Sequence, residues 1–280
     1  MKPLTLTKNE NKVLRELQKN SRESRNVIAK RSRLSRSGVD KTIRKLLGKK
    51  IIAWKTLTDY NALGYNLYKI LINLEDLKFD KRMFLSAIKN SRIIKVFLLE
   101  GRWDMEVVVA SNIYALEKDI LNLKKEFLDE ISDINIVPII ELDHTLSSKI
   151  ELKPIQKRLI EYLIDNPLAP LYNLDFISFD KAKSDIQKLP LRFSINIDYE
   201  LIGKIERKYF IAFEEYNRKK CLNFIKSKTY SFISKDLEYF DLDFNMIFDS
   251  ELEETNFIED LKHYGITEIL ILKTRTLIEY

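Results

Sequence analysis

Hydrophobic and polar positions along this chain follow two periods, and the places where one gives way to the other outline its elements. Near the N-terminus the period is helical. Thr7 and Glu10 form a capping box, T-x-x-E, ahead of a helix whose inner side carries Val13, Leu14 and Leu17. Ser24 caps a second, short helix, RNVIAK, with Val27, Ile28 and Ala29 turned inward. After the turn Arg31–Leu34, Ser35 caps a third, in which Val39, Ile43, Leu46 and Leu47 recur at i, i+4, i+7 and i+8. Ile51–Lys55 then reads as a strand.

From Tyr65 alternation takes over. In YNLYKILINL, Tyr68, Ile70, Ile72 and Leu74 share one face, the pattern of a half-buried strand. Met83, Phe84, Ala87 and Ile88 mark a helix, and Ile94–Leu99 and Asp104–Val109 are strands separated at Gly101. Leu116, Ile120, Leu123 and Phe127 stripe another helix, and Ile134–Ile140 is a fourth strand. Three helices and a strand predict a winged helix-turn-helix. The βαββαβ order after it predicts a ferredoxin-like antiparallel sheet covered on one face by two helices.

The rest of the chain repeats this plan. Leu152, Leu159, Ile160, Leu163 and Asn166 match Leu6, Val13, Leu14, Leu17 and Asn20 at a constant offset of 146. Ser178, Ala182, Ile186 and Leu189 match Ser35, Val39, Ile43 and Leu46 at 143, and Asp198–Gly203 matches Asp59–Gly64 at 139. Strands at 208–213, near Tyr239, at 244–248 and at 268–273, with helices near Cys221 and from Glu251 to His263, complete a second βαββαβ. The fold class expected is therefore α+β, a winged helix-turn-helix followed by a ferredoxin-like βαββαβ domain, the pair repeated twice. The expected domains are 1–60, 61–145, 146–200 and 201–280.

Charge separates the two copies. Residues 1–60 hold 17 Lys and Arg against 5 Asp and Glu, whereas the whole chain carries 48 against 42. Basicity confined to one segment points to a polyanion at that segment. On the third helix Ser37, Lys41, Arg44 and Lys45 lie opposite the apolar stripe, with Arg36 near the N-terminus. An element that enters a DNA major groove needs this combination of one buried and one cationic face. In the second copy Ser37, Lys41 and Arg44 become Asp180, Ser184 and Gln187, Asp185 is added, and Pro190 ends the helix early. That copy is expected to keep its packing and to bind DNA poorly.

Composition narrows the classes further. Six glycines and six prolines leave little room for flexible linkers. Cys221, the sole cysteine, excludes intrachain disulfides and a cysteine-based zinc site within one chain, which fits an intracellular protein. No apolar run reaches membrane-span length and the N-terminus lacks an apolar signal core, so the cytoplasm is expected. No enzyme signature stands out. His144 falls in the inter-repeat linker, and His263 sits late in a helix, where it complements the dipole. No metal or cofactor is expected.

The segment RLSRSGVDKTIRKLLGKKII, the run Asp59–Gly64 (DYNALG) and the Gly-x-x-Asp turn at Gly101 and Asp104 together resemble the Lrp/AsnC family of transcriptional regulators, over about residues 5–141. This sequence departs from the family where prolines common at the start of the third helix are Arg36 and Gly38, and where the glycine usual before the strand is Lys50. The resemblance implies a sequence-specific regulator acting on double-stranded DNA. Arg36, Ser37, Lys41 and Arg44 would meet base edges, and Arg31, Arg33, Lys45 and Lys55 would meet phosphate around the capping Ser35. It also implies paired βαββαβ sheets, either in a homodimer or as an intrachain pseudo-dimer. An effector such as an amino acid would bind near Gly101 and Asp104, two residues that equally serve as turn former and cap.

Two other readings stand beside this one. Siroheme decarboxylases resemble Lrp/AsnC proteins in fold and lean on histidine and basic residues around a tetrapyrrole. The absence of histidine up to Val137 and the retained basic face count against that enzyme. The third reading is a non-catalytic interaction module whose second half is a permanent partner for the first.

Overall fold

The computed structural model describes residues 3–75, 85–142, 151–228, 233–236 and 240–277. The first repeat runs α1 (Lys8–Lys19), α2 (Arg25–Ser32), α3 (Arg36–Gly48), β1 (Ile52–Thr58), β2 (Asn66–Leu74), β3 (Arg92–Glu100), β4 (Met105–Ser111), α4 (Ile113–Glu126) and β5 (Ile131–Leu142). The second runs α5 (Pro154–Asp165), α6 (Phe179–Ile186), β6 (Leu191–Ile197), β7 (Ile205–Phe213), α7 (Arg218–Lys228), β8 (Ile233–Asp236), β9 (Leu242–Phe248), α8 (Glu251–Lys262) and β10 (Ile266–Leu277). Of the helix expected around Met83–Ile88, residues 85–87 are helical, while Met83 and Phe84 lie outside the described residues, as does Tyr239. Like segments gather together. One compact unit joins Met1–Leu63 with Thr145–Ile202, and the other joins Gly64–His144 with Gly203–Tyr280.

In the helical unit the predicted caps are present. The Thr7 hydroxyl accepts from the Glu10 N–H at 3.3 Å, and the Glu10 carboxylate accepts from the Thr7 N–H at 2.7 Å. Val13, Leu17, Ile28, Val39 and Leu46 are fully buried, in a core that also takes Ile195 and Ile197 from the second repeat. That sharing follows from the strands. β1 pairs antiparallel with β6, with Lys55 opposite Ser194, its own counterpart in the repeat. The strand that follows α3 therefore takes its partner from the other copy. Arg22 reinforces the join. Its guanidinium donates to the carbonyls of Pro167 at 2.9 Å and Ala169 at 3.1 Å and stacks 4.4 Å from the Phe193 ring, and its burial lowers its pKa.

In the other unit each repeat forms a four-stranded ferredoxin-like sheet, in the orders β3-β4-β2-β5 and β8-β9-β7-β10. The ends meet at two equivalent seams, β5 with β8 and β10 with β3, closing one eight-stranded barrel. Tyr68, Ile70, Ile72, Val107 and Val109 pack outward against Leu116, Ile120 and Leu123 of α4. The expectation of a half-buried β2 is corrected here: both of its faces are buried, since the second sheet covers the face that a lone domain would leave in water.

Four charged side chains are sealed inside the barrel. Lys69 (β2) pairs with Asp243 (β9), and Lys208 (β7) pairs with Glu106 (β4) at 2.7 Å and with Asp243 at 2.6 Å. All four side chains are 0% exposed. Burial pushes the Lys208 amine down to about 8, with Glu106 opposing and Lys69 and Lys95 adding to the shift. Lys69–Asp243 and Lys208–Glu106 each join one repeat to the other. Removing one partner of such a pair strands a buried charge, whereas removing both can be close to neutral.

Two stability measurements follow. Lys208→Met should destabilise the protein by about 3–5 kcal/mol, and Lys208→Met with Glu106→Leu should recover much of that loss; urea unfolding of the single and double variants checks it. Lys50 holds a left-handed φ of 57°, the conformation that glycine adopts without strain. Lys50→Gly should therefore raise stability by about 1 kcal/mol in the same assay.

Candidate nucleic-acid interface

The candidate site is built on α2, its turn and α3. Ser24 starts α2 by accepting from the Val27 N–H at 3.3 Å, and Arg33 ends it in a left-handed conformation, φ 59°. That reversal lets Ser35 cap α3, its hydroxyl accepting from the Gly38 N–H at 3.0 Å. A side chain at Gly38 would sit 3.1 Å from the Ser35 hydroxyl, so the small residue protects the cap. Val39, Ile43 and Leu46 point into the core, while Arg36, Ser37, Lys41, Arg44 and Lys45 are exposed on the same helix.

Ion pairing sorts these cations into two groups. Lys45 is anchored, 2.7 Å from Glu10 of α1, and Arg31 faces Glu16 at 3.6 Å and Glu23 at 3.4 Å. Among the described residues no ion pair engages Arg33, Arg36, Lys41 or Arg44. Their charge is available to an external polyanion. Lys55 is half-buried in the β1–β6 ladder, opposite Ser194. Sequence reasoning found Glu10 as a cap and missed its second task. Burial alone would raise the Glu10 carboxyl, but hydrogen bonds from Lys45 and Thr7 and the Lys45 charge hold it at about 2.

The second copy keeps the scaffold and changes the face. α6 spans 8 residues against 13 for α3, and Ala182 packs where Val39 does. Phe179, Asp180, Ser184 and Gln187 are exposed where Arg36, Ser37, Lys41 and Arg44 stand in the first copy. Asp185 is buried and held by Lys181 at 3.1 Å and Gln156 at 3.3 Å.

The remaining predicted residues serve the backbone. The Asp104 carboxylate accepts from the Leu74 N–H at 2.8 Å, and in the other repeat Asp241 accepts from the Phe213 N–H at 3.0 Å. Gly101 turns at φ 150°, and a Cβ there would meet Leu272 at 2.5 Å. His263 caps α8 and is exposed; His144 lies outside the described residues. Among the described residues no helix is long and apolar enough to cross a membrane.

Comparison with known proteins agrees with this geometry. Residues 6–52 match the model of a winged helix-turn-helix DNA-binding family. No curated protein sequence matches the chain. Among solved structures, the siroheme decarboxylase NirDL superposes on 97% of this chain and 94% of its own, with a TM-score of 0.58 and 15% identity. The leucine response regulatory protein LrpA of Mycobacterium tuberculosis covers 52% of this chain and 99% of its own (17% identity, TM-score 0.43). AsnC of E. coli covers 53% and 100% (19% identity, TM-score 0.38). The NirDL likeness is one of fold, extending through both repeats.

The Glu10 anchor predicts an acid response. A carboxyl whose folded pKa lies below its ordinary 4.5 stabilises the fold above that value and loses the contribution as pH falls toward about 2. Glu10→Gln should flatten the acid limb of a melting-temperature profile in that window while leaving the pH 7 fold intact by circular dichroism.

Proposed function

We propose that this N-terminal winged helix-turn-helix DNA-binding domain makes the chain a sequence-specific transcriptional regulator of Lrp/AsnC type, with one working reader per chain. The observation that carries the reading is the contrast between α3 and α6. Both keep an apolar stripe on the shared core, and only α3 presents Arg36, Lys41 and Arg44 without an internal acidic partner. A structural helix has no use for three exposed cations in a row of reading positions, whereas a major-groove helix does. Arg36, Ser37, Lys41 and Arg44 take the base edges in this proposal and Arg33 takes phosphate, whereas Lys45 and Arg31 are already held by acidic partners within the domain.

An amino-acid effector at Gly101 and Asp104 has less support, since the carboxylate is committed to the Leu74 N–H and the same bond recurs at Asp241. We infer a turn-forming role for both residues.

The whole-chain likeness to NirDL favours a second reading, tetrapyrrole decarboxylation. Adding an iron-porphyrin to the purified protein separates the two: a saturable absorbance shift with no DNA binding would favour the enzyme.

For the regulator, Arg44→Ala should cost about 1–3 kcal/mol and relax specificity at one base pair. Arg33→Ala should weaken all sequences alike and reduce the salt slope by about one. Gel-shift titrations at several salt concentrations on a selected site measure both, and equal, specificity-neutral losses would sink the assignment.

A further inference from the structure

The outer helices of the barrel unit differ between the repeats in a way that neither packing nor DNA reading uses. α4 and α8 are counterparts, each opened by a capping side chain: Asn112 accepts from the Ala115 N–H at 2.9 Å, and Ser250 from the Glu253 N–H at 3.3 Å. Leu116, Ile120 and Leu123 face the core from α4, as Phe257 and Leu261 do from α8. Diametrically opposite on α4 run Tyr114, Lys118, Leu121 and Lys125, at i, i+4, i+7 and i+11. Tyr114 is 75% exposed and Leu121 66%. Large apolar side chains on the pole of a helix, framed by lysines, are the pattern of an interface seam.

The same four positions of α8 are Leu252, Asn256, Glu259 and His263. Leu252 is 70% exposed, and Glu251, Glu253, Glu259 and Asp260 are exposed around it. One helix thus carries two lysines among the apolar groups of its pole, with Lys124, Glu117 and Glu126 on its flanks, and the other an apolar group within a mostly acidic field that Lys262 closes. Among the described residues no ion pair engages Lys118, Lys125 or Glu259.

We propose that α4 of one chain docks on α8 of a second copy, in a head-to-tail contact between barrel units. Like helices would bring lysine to lysine or carboxylate to carboxylate, so the charges select the unlike pair. A contact of this kind is heterologous, and an open assembly keeps one free face of each sort, at its two ends, until a ring closes. It also gathers several α3 readers into one particle, which a chain with a single reader needs for a repeated operator. The contact itself is independent of the DNA-binding reading.

Sedimentation velocity on the full chain without DNA tests it. The wild type should associate as concentration rises, and added salt should weaken the association. Leu121→Glu, at an exposed position, should leave the melting temperature unchanged and weaken association by about tenfold or more. Lys118→Glu with Lys125→Glu should do the same, as should Glu251→Lys with Glu259→Lys, and mixing those two variants should restore assembly. A wild type that stays monomeric throughout would overturn the proposal. So would association indifferent to Leu121→Glu, or a charge-reversed pair that fails to re-associate.

Discussion

Burying a lysine ammonium is costly unless a carboxylate meets it in the same dry space. Lys69 meets that condition through Asp243 of the second repeat, and Lys208 through Glu106 of the first together with Asp243 of its own. A lone βαββαβ domain would expose both residues on an open sheet face. Closing the barrel removes that face from water, and the two crossed pairs make the closure specific to two correctly registered sheets. The β5–β8 and β10–β3 seams in this unit, and the shared core and β1–β6 ladder in the helical unit, each join one repeat to the other.

Duplication under this constraint separates scaffold from chemistry. Positions that build the core survive in both copies: Val39 and Ala182 are each fully buried, and Asp104 and Asp241 make the same bond to a strand end. Positions that only face solvent are free to diverge. The exposed Arg36, Lys41 and Arg44 of α3 give way to Phe179, Ser184 and Gln187 on α6, and the apolar pole of α4 becomes an acidic one on α8. The second copy completes the fold that the first one needs, and its own surface is released for other contacts. The likeness to NirDL spans both repeats and is one of fold.

Much of this was legible in the chain itself. Helical and alternating periods located α1, α2, α3, β2, β4 and α4, because amphipathic spacing is a local property that a single element already expresses. The Thr7–Glu10 capping box and the Ser35 cap were readable for the same reason, as both bonds close within three residues. The exposed cationic side of α3 was legible too, since residues at i and i+4 share a side whatever surrounds them.

What the sequence could not express was the partner of each face. Lys69 looks solvent-facing within YNLYKILINL, and Lys45 looks like a free phosphate contact. Lys69 is sealed beside a residue 174 positions away, and Lys45 is held by Glu10, 35 positions back. The wing strand likewise found its ladder in β6. Local periodicity sets which side of an element is apolar, charged or capped. Whether that side meets water, an ion partner or a second sheet depends on chain segments far apart in sequence, and only the folded structure brings them together.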